Sequence, residues 1–217
     1  MDTKILGIDE AGRGCVIGPM VLCGVVMKKH FEPELKKIGV KDSKELTPKK
    51  RTNLISVMKN LVDEVIIIEV SPEEIDSVSL TTLEMLKMAE IIKKVSVDIV
   101  YFDAPVPPGA IGKFSRALKW NIGVSFDKTK IIGENKADKN YPVVGAASIF
   151  AKVRRDEIIN QIKEEYGDFG SGYTSDKNTI IFLKEYYNKH KNFPKSIFRS
   201  KWSTLQRFYK KEPQVLV

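Results

Sequence analysis

An α/β fold with a helical end is what this sequence predicts, and three observations carry the expectation. Short β-branched runs alternate with stretches whose apolar residues repeat at helical spacing. The first two runs are joined by a turn that holds no helix, which puts antiparallel neighbours at the start of the sheet. Beyond residue 166 the strand-like runs stop, and a glycine-rich break leads into further helical stretches. With 217 residues and 42% hydrophobic content, the chain can build one substantial domain with an appendage. The expected division is a main body over 1–166 and a basic helical extension over 167–217 packed on it.

The first strand lies in residues 4–19, KILGIDEAGRGCVIGP, with Ile5, Leu6 and Ile8 as its apolar body. It delivers the pair Asp9-Glu10 and breaks into Gly12-Arg13-Gly14. Glycines there permit positive φ and a close backbone approach to a ligand, while an arginine between them can fork onto phosphate oxygens. Commoner phosphate loops fail: a G-x-G-x-x-G pattern would need glycine at Ile17, and no G-x-x-x-x-G-K-[ST] occurs. MVLCGVVM then reads as a second strand.

The remaining elements follow from local signals. A short helix is expected over 31–38, then a polar turn at Asp42-Ser43-Lys44. Thr47 caps a helix whose first position is Pro48, with Leu54, Val57, Met58 and Leu61 in helical register. A strand over 64–71, a short helix over 72–76 and a longer one over 80–95 come next. The run 99–103, IVYFD, is an apolar strand ending in Asp103 before a proline-rich loop over 105–109. A helix is expected over 112–119, a short strand over 121–126 and a polar stretch over 130–140. Pro142 opens a long helix to about residue 166, with Ala146 and Ala147 small enough for close approach to a sheet. After the glycines at 167–172, Tyr173 leads to Ser175-Asp176, a cap for a helix over 177–190. Pro194 ends that region, and a last helix spans about 201–210. No internal repeat or long linker is present.

The net charge of +8 is unevenly spread: residues 1–140 hold 22 Lys+Arg against 20 Asp+Glu, and 141–217 hold 14 against 8. Within 177–211 there are ten basic residues and one acid, Glu185. Interleaved with Tyr186, Tyr187, Phe193, Phe198, Trp202, Phe208 and Tyr209, this end suits a polyanion held by charge with aromatic support. The competing reading, equal in weight, is a helical lobe whose lysines solvate its outer face. The longest apolar run, 15–27, is shorter than the roughly 18–20 residues of a membrane helix. MDTK lacks a signal-peptide pattern, so a cytoplasmic protein with no membrane contact is expected. Cys15 and Cys23 form neither a disulfide framework nor a CxxC pair and read as small core hydrophobes. Cys15 would be reactive if exposed beside Arg13.

Asp9, Glu10, Asp103 and Asp138 stand at two strand ends and just ahead of a helix, positions that one sheet can bring together. Desolvating a lone carboxylate costs several kcal/mol or more, and a bound cation offsets it. Hard carboxylate oxygens suit Mg²⁺ or Mn²⁺, and two His without a cysteine cluster argue against structural zinc. Taken singly, an aspartate among 28 acids is more often a surface charge or a cap.

In order along the chain, GIDEAGRGCVIGP, DSKEL, VYFDA, KADKNYPVVGAASIFAKVRRD and GSGYTSD resemble ribonuclease HII. The resemblance implies a ribonuclease H-like mixed sheet flanked by helices, with a helical C-terminal extension. It implies an endonuclease that cuts the RNA strand of RNA·DNA hybrids, and duplex DNA 5′ to embedded ribonucleotides, leaving 3′-hydroxyl and 5′-phosphate ends. Asp9, Glu10, Asp103 and Asp138 match the family's catalytic, metal-binding acids. Gly12, Arg13 and Gly14 match the motif that contacts the ribonucleotide, Tyr173 matches the tyrosine that senses the junction, and Lys44 matches a lysine near the substrate phosphates. Mg²⁺ or Mn²⁺ is the implied cofactor, the partners are hybrid and ribonucleotide-containing duplex, and the chain is expected to act as a monomer.

Three positions depart from the family pattern: Cys15 and Thr174 each stand where proline is expected, and Gly145 stands where serine is expected. Loss of proline at Cys15 is expected to loosen the turn that aims Arg13, since proline fixes φ. Two rival classes remain. A non-catalytic RNA·DNA hybrid-binding module would not need four acids, and an unrelated metal-dependent phosphatase would not need the glycine turn, the tyrosine loop and the basic end together.

Overall fold

The computed structural model describes residues 2–40 and 46–210. Five strands form one sheet in the order β3-β2-β1-β4-β5: β1 (Lys4–Ala11), β2 (Met20–Lys28), β3 (Glu64–Val70), β4 (Ile99–Asp103) and β5 (Lys130–Glu134). β1 and β2 pair antiparallel, with Asp9 opposite Cys23, whereas β1–β4 and β4–β5 are parallel. The sheet is therefore mixed, as the sequence predicts.

Nine α-helices are described: α1 (Glu32–Lys37), α2 (Pro48–Met58), α3 (Pro72–Ile75), α4 (Leu80–Lys93), α5 (Ile111–Ile122), α6 (Ala137–Asn140), α7 (Pro142–Tyr166), α8 (Lys177–His190) and α9 (Ser203–Tyr209). Their starts obey local chemistry. The Thr47 hydroxyl accepts from the Lys50 N–H, Asp176 accepts from the Asn178 N–H, and Ser71 with Glu74 closes a reciprocal capping box at α3. Each such cap contributes about 1 kcal/mol.

Two sequence expectations need correction. Residues 121–126 are no strand: α5 runs through Ile122, and Gly123 at φ 90° ends it before a 3₁₀ turn over Val124–Phe126. The stretch 130–140 is not merely polar; it holds β5 and α6.

Contacts cluster the chain into two compact units. One comprises Met1–Ala11, Val21–Ile68 and Thr81–Arg154; the other comprises Gly12–Met20, Glu69–Leu80 and Arg155–Val217. A boundary after residue 166 is thus not the one the contacts draw, because 12–20 and 69–80 join the C-terminal segment and α7 is shared.

In the first unit α7 lies directly against β1. A Cβ on Gly7 would stand 2.4 Å from the backbone carbon of Val143, so only glycine fits. Val143, Val144, Ala146 and Ala147 are fully buried there. Gly145 is less tightly constrained: a Cβ would lie 3.0 Å from Val40 and 3.2 Å from the Asp138 carbonyl oxygen, so serine would need its neighbours to give by a few tenths of an ångström.

The second unit has its own core, built from Val16, Ile17, Phe169, Leu183, Phe193 and Phe198 with neighbours from α8 and α9. Phe193 packs its ring 5.0 Å from that of Phe198 and 5.5 Å from those of Tyr187 and Phe208. Of the aromatics of the basic end, Tyr187, Phe193 and Phe198 are buried in this core and Tyr186, Trp202 and Phe208 pack against it, which favours the helical-lobe reading for most of them. Its lysines stay outside: Lys184, Lys189, Lys191 and Lys195 are exposed. Among the described residues, no helix is long and apolar enough to cross a membrane.

Candidate active site

Parallel pairing places three acids at the carboxyl ends of adjacent strands, where open α/β sheets present their ligand sites. Ile8 pairs with Phe102, so Asp9 and Asp103 follow at the next position, and Asp103 pairs with Glu134 across to β5. Asp138 arrives from α6, whose first residue, Ala137, donates its N–H to Asp103 Oδ1 at 3.1 Å. Asp9 and Asp138 are buried, at 5% and 2% exposure, while Glu10 and Asp103 are half-buried. All four predicted acids are thus in one unit, and three converge at one end of its sheet with the fourth beside Asp103.

Electrostatics link them. Burial holds the Asp9 carboxyl well above the usual carboxylate range, and the negative charges of Glu10 and Asp103 push the same way. Hydrogen bonds from the Ser148 side chain and from the Glu10 N–H, at 2.8 Å, offset part of this. A divalent cation would reverse the balance, since nearby positive charge favours ionised carboxylates. Carboxylate oxygens are the donor chemistry Mg²⁺ and Mn²⁺ prefer. Among the described residues, no three His, Cys, Asp or Glu side chains close into a ready-made cage. The acids fit such an ion chemically, and Glu10 and Asp103 stand within charge–charge range of Asp9.

Glu134 escaped the sequence reading because β5 did. It accepts hydrogen bonds from Tyr141 Oη and, at 2.8 Å, from Asn140 Nδ2, and these hold its carboxyl below the usual range. Tyr141 in turn stacks on Tyr101, ring centroids 4.2 Å apart.

The second unit holds the glycine turn and Tyr173. Gly12 sits at φ +82°, where an added Cβ would meet the Pro19 carbonyl oxygen at 2.8 Å, so the turn demands glycine there. Gly14 lies against the Tyr173 ring, 3.6 Å from its would-be Cβ, and Cys15 forms a β-bridge with Tyr173. The half-buried Tyr173 ring stacks under the Arg155 guanidinium at 5.3 Å. Burial first, then the neighbouring Cys15 with its hydrogen bond to the hydroxyl, push the phenol up to about 12. Arg155 Nη2 also donates to Cys15 Sγ at 3.0 Å and to the Ser171 carbonyl at 2.6 Å.

These contacts answer the expected loosening at Cys15. Its N–H donates to the Gly12 carbonyl at 3.3 Å and its sulfur accepts from Arg155. Proline offers neither group. Cys15 and Cys23 are both fully buried and free, which fits core residues rather than an exposed thiol. Lys44 lies outside the described residues.

The ribonuclease HII family model matches residues 6–205. Ribonuclease HII of Thermococcus onnurineus is 45% identical over 213 residues, covering 96% of this chain and 91% of that protein. Ribonuclease HII of Pyrococcus furiosus is 46% identical over 206 residues, covering 94% and 90%. The crystal structure of ribonuclease H2 from Pyrococcus horikoshii OT3 superposes with a TM-score of 0.86 at 38% identity, over 96% of this chain and 98% of that one. A ribonuclease H-like sheet, acids at its carboxyl ends and near full-length similarity agree: the chain belongs to the ribonuclease HII family, and it is a ribonuclease H endonuclease.

Proposed function

We propose that this endonuclease hydrolyses the RNA strand of RNA·DNA hybrids and cuts duplex DNA on the 5′ side of embedded ribonucleotides, leaving 3′-hydroxyl and 5′-phosphate ends. The observation that carries the reading is the placement of Asp9 and Asp103 at the carboxyl ends of the paired strands β1 and β4, where burial first, and then the charges of Glu10 and Asp103, hold the Asp9 carboxyl high. Like charges held together in a buried place are costly, and they are useful where a cation is bound. Asp9, Glu10, Asp103 and Asp138 would hold Mg²⁺ or Mn²⁺. Bound there, the ion supplies Lewis-acid stabilisation of the charge that develops on the phosphodiester.

The other residues act on the nucleic acid itself. Arg13 presents a guanidinium suited to a phosphate, and the backbone of the Gly12-Arg13-Gly14 turn, with no Cβ at either glycine, offers hydrogen bonds to a ribose 2′-hydroxyl. Tyr173, anchored by Cys15 and Arg155, offers a ring face to the neighbouring sugar. Lys44 would contact a substrate phosphate, and the exposed lysines of the C-terminal segment would contribute counterion-release affinity.

The deciding experiment is cleavage of a duplex carrying one ribonucleotide, with and without Mg²⁺, with the ends of both fragments mapped. A cut 5′ to the ribonucleotide that depends on the ion is expected. Cleavage of uniform hybrid alone, or cutting at the other side, would remove the junction-specific part of the reading.

A further inference from the structure

We infer that Arg199 is a positioning residue that shapes the Gly12-Arg13-Gly14 turn for reading a ribose, acting through the turn's backbone. The inference rests on the proposed reading of that turn as the element that contacts the ribonucleotide. Arg199 is fully buried, an uncommon place for a guanidinium. Its nitrogens go to three carbonyls: Nη2 to Gly12 at 2.6 Å, Nη1 to Arg13 at 2.7 Å and Nε to Gly18 at 3.2 Å. Its own N–H donates to the Val16 carbonyl at 3.1 Å, and its guanidinium lies 5.1 Å from the Trp202 ring centroid. One rigid fork therefore spans both ends of the 12–18 loop.

The consequence follows from peptide geometry. In a planar trans peptide, the C=O of one residue and the N–H of the next point in opposite directions. Among the described residues no cis peptide is present. Drawing the Gly12 and Arg13 oxygens onto Arg199 thus turns the N–H groups of Arg13 and Gly14 away from it. Gly14 is exposed and Arg13 half-exposed, so those two donors face outward from a buried cation. Successive N–H groups presented this way suit an oxygen-bearing ligand such as a 2′-hydroxyl or phosphate oxygen. The buried positive charge behind both carbonyls further polarises the peptides toward that role. A lysine cannot replace the fork, because its single ammonium cannot reach three divergent carbonyls in fixed directions.

The test is equilibrium binding in an Asp103→Asn background, using two duplexes that differ by one 2′-hydroxyl. Arg199→Lys is expected to lower the preference for the ribonucleotide-containing duplex about tenfold, while affinity for the all-DNA duplex moves less than about twofold. Gly12→Ala, which distorts the same turn directly, is expected to lower the preference similarly. A lower Tm for Arg199→Lys with unchanged preference, while Gly12→Ala loses it, would show that Arg199 only stabilises the fold. If neither variant changes the preference, the turn does not read the ribose, and the underlying functional reading fails instead. Should Arg199→Lys not fold, the unaltered turn decides: the Gly14 amide resonance is expected to shift with the ribonucleotide duplex and not with all-DNA. An equal response to both means that the turn does not read the ribose, and the inference falls with the functional reading on which it rests.

Discussion

The carboxylate end of the sheet and the glycine turn handle charge in opposite ways. Around Asp9 burial acts most strongly, and the charged groups that act on it, Glu10 and Asp103, are acids that push the same way. Around the turn the dominant groups are cations, with Arg199 and Arg155 supplying hydrogen bonds to the carbonyls of Gly12, Arg13 and Ser171 and to the Cys15 sulfur. The first region holds charge that a bound ion would compensate. The second has its internal hydrogen bonds already made and its shape already set. Chemistry on a phosphodiester benefits from the first arrangement, whereas discrimination by one hydroxyl benefits from the second, because a preorganised donor loses little entropy on binding.

Breaking the carboxylate region is expected to have the largest effect. Asp103 lies beside Asp9, pins α6 through the Ala137 N–H and belongs to the proposed cation site. Asp103→Asn preserves size and removes charge. Losing several kcal/mol of charge stabilisation corresponds to roughly a thousandfold or more in turnover. Hybrid affinity is expected to stay within a few fold, since the glycine turn and the basic surface are untouched. Single-turnover cleavage beside equilibrium binding separates the two, and near-normal turnover would remove Asp103 from the chemistry.

The turn region predicts a smaller and more selective loss. Tyr173→Ala removes a ring held by Cys15 and Arg155, and a sugar or base contact of this kind is worth about 1–3 kcal/mol. Cleavage of the single-ribonucleotide duplex is expected to fall roughly tenfold further than cleavage of uniform hybrid. Equal losses on both substrates would make Tyr173 a packing residue, because the junction would then no longer matter to it.

Much of this comparison was legible in the sequence, and the missing parts have physical causes. Strand ends at Asp9 and Asp103 stand out because β-branched runs stop at a charge. Asp176 and Thr47 declare their helices because capping is a local interaction. β5 was hidden: KIIGE is five residues long and only half-buried, and its strand character comes from pairing with β4 rather than from any alternation of its own. The opposite error at 121–126 arose from apolar residues that close α5 instead. Arg199 was invisible because its partner carbonyls are 186 and 187 residues away, and a backbone oxygen leaves no mark on composition. The aromatic end stayed open between two readings for a related reason. Tyr and Phe between lysines look the same whether they face a ligand or a core, and only the packing around Phe193 and Phe198 decides.

The charge imbalance at the acids also predicts a stability effect that is separate from turnover. A carboxyl raised in the folded state loses stability as pH climbs from its ordinary 3.8 through the folded value, because the folded chain must then ionise a buried group. At pH 7, without divalent ions, Asp9→Asn is therefore expected to melt above the parent, by roughly 2–4 °C for about 1 kcal/mol in a chain of this size. The gap should narrow as pH falls toward 3.8, and Mg²⁺ should raise the parent's Tm more than the variant's. A variant that melts lower at pH 7 would mean that Asp9 is internally satisfied and that the two regions are not electrostatic opposites.

The smallest expected effect concerns the exposed lysines, where the comparison becomes one between two faces of the same helix. Lys191, at the C-terminal end of α8, shares a groove with Lys184, Arg207 and Asn188, while Lys189 lines another with Glu165, Glu185 and Tyr186. The first groove has three cations. The second has two acids, which repel phosphate and offset Lys189. A phosphate track along the Lys184–Lys191–Arg207 face therefore predicts that Lys191→Gln flattens the dependence of log affinity on log salt by about 0.9 unit, one counterion's worth. Lys189→Gln should change it by much less. Affinity measured between low and physiological salt with a non-cleaved all-DNA duplex tests this without involving the carboxylates. Equal slopes for both variants and the parent would take α8 off the nucleic-acid path, leaving its lysines to solvate the outer face of an aromatic core.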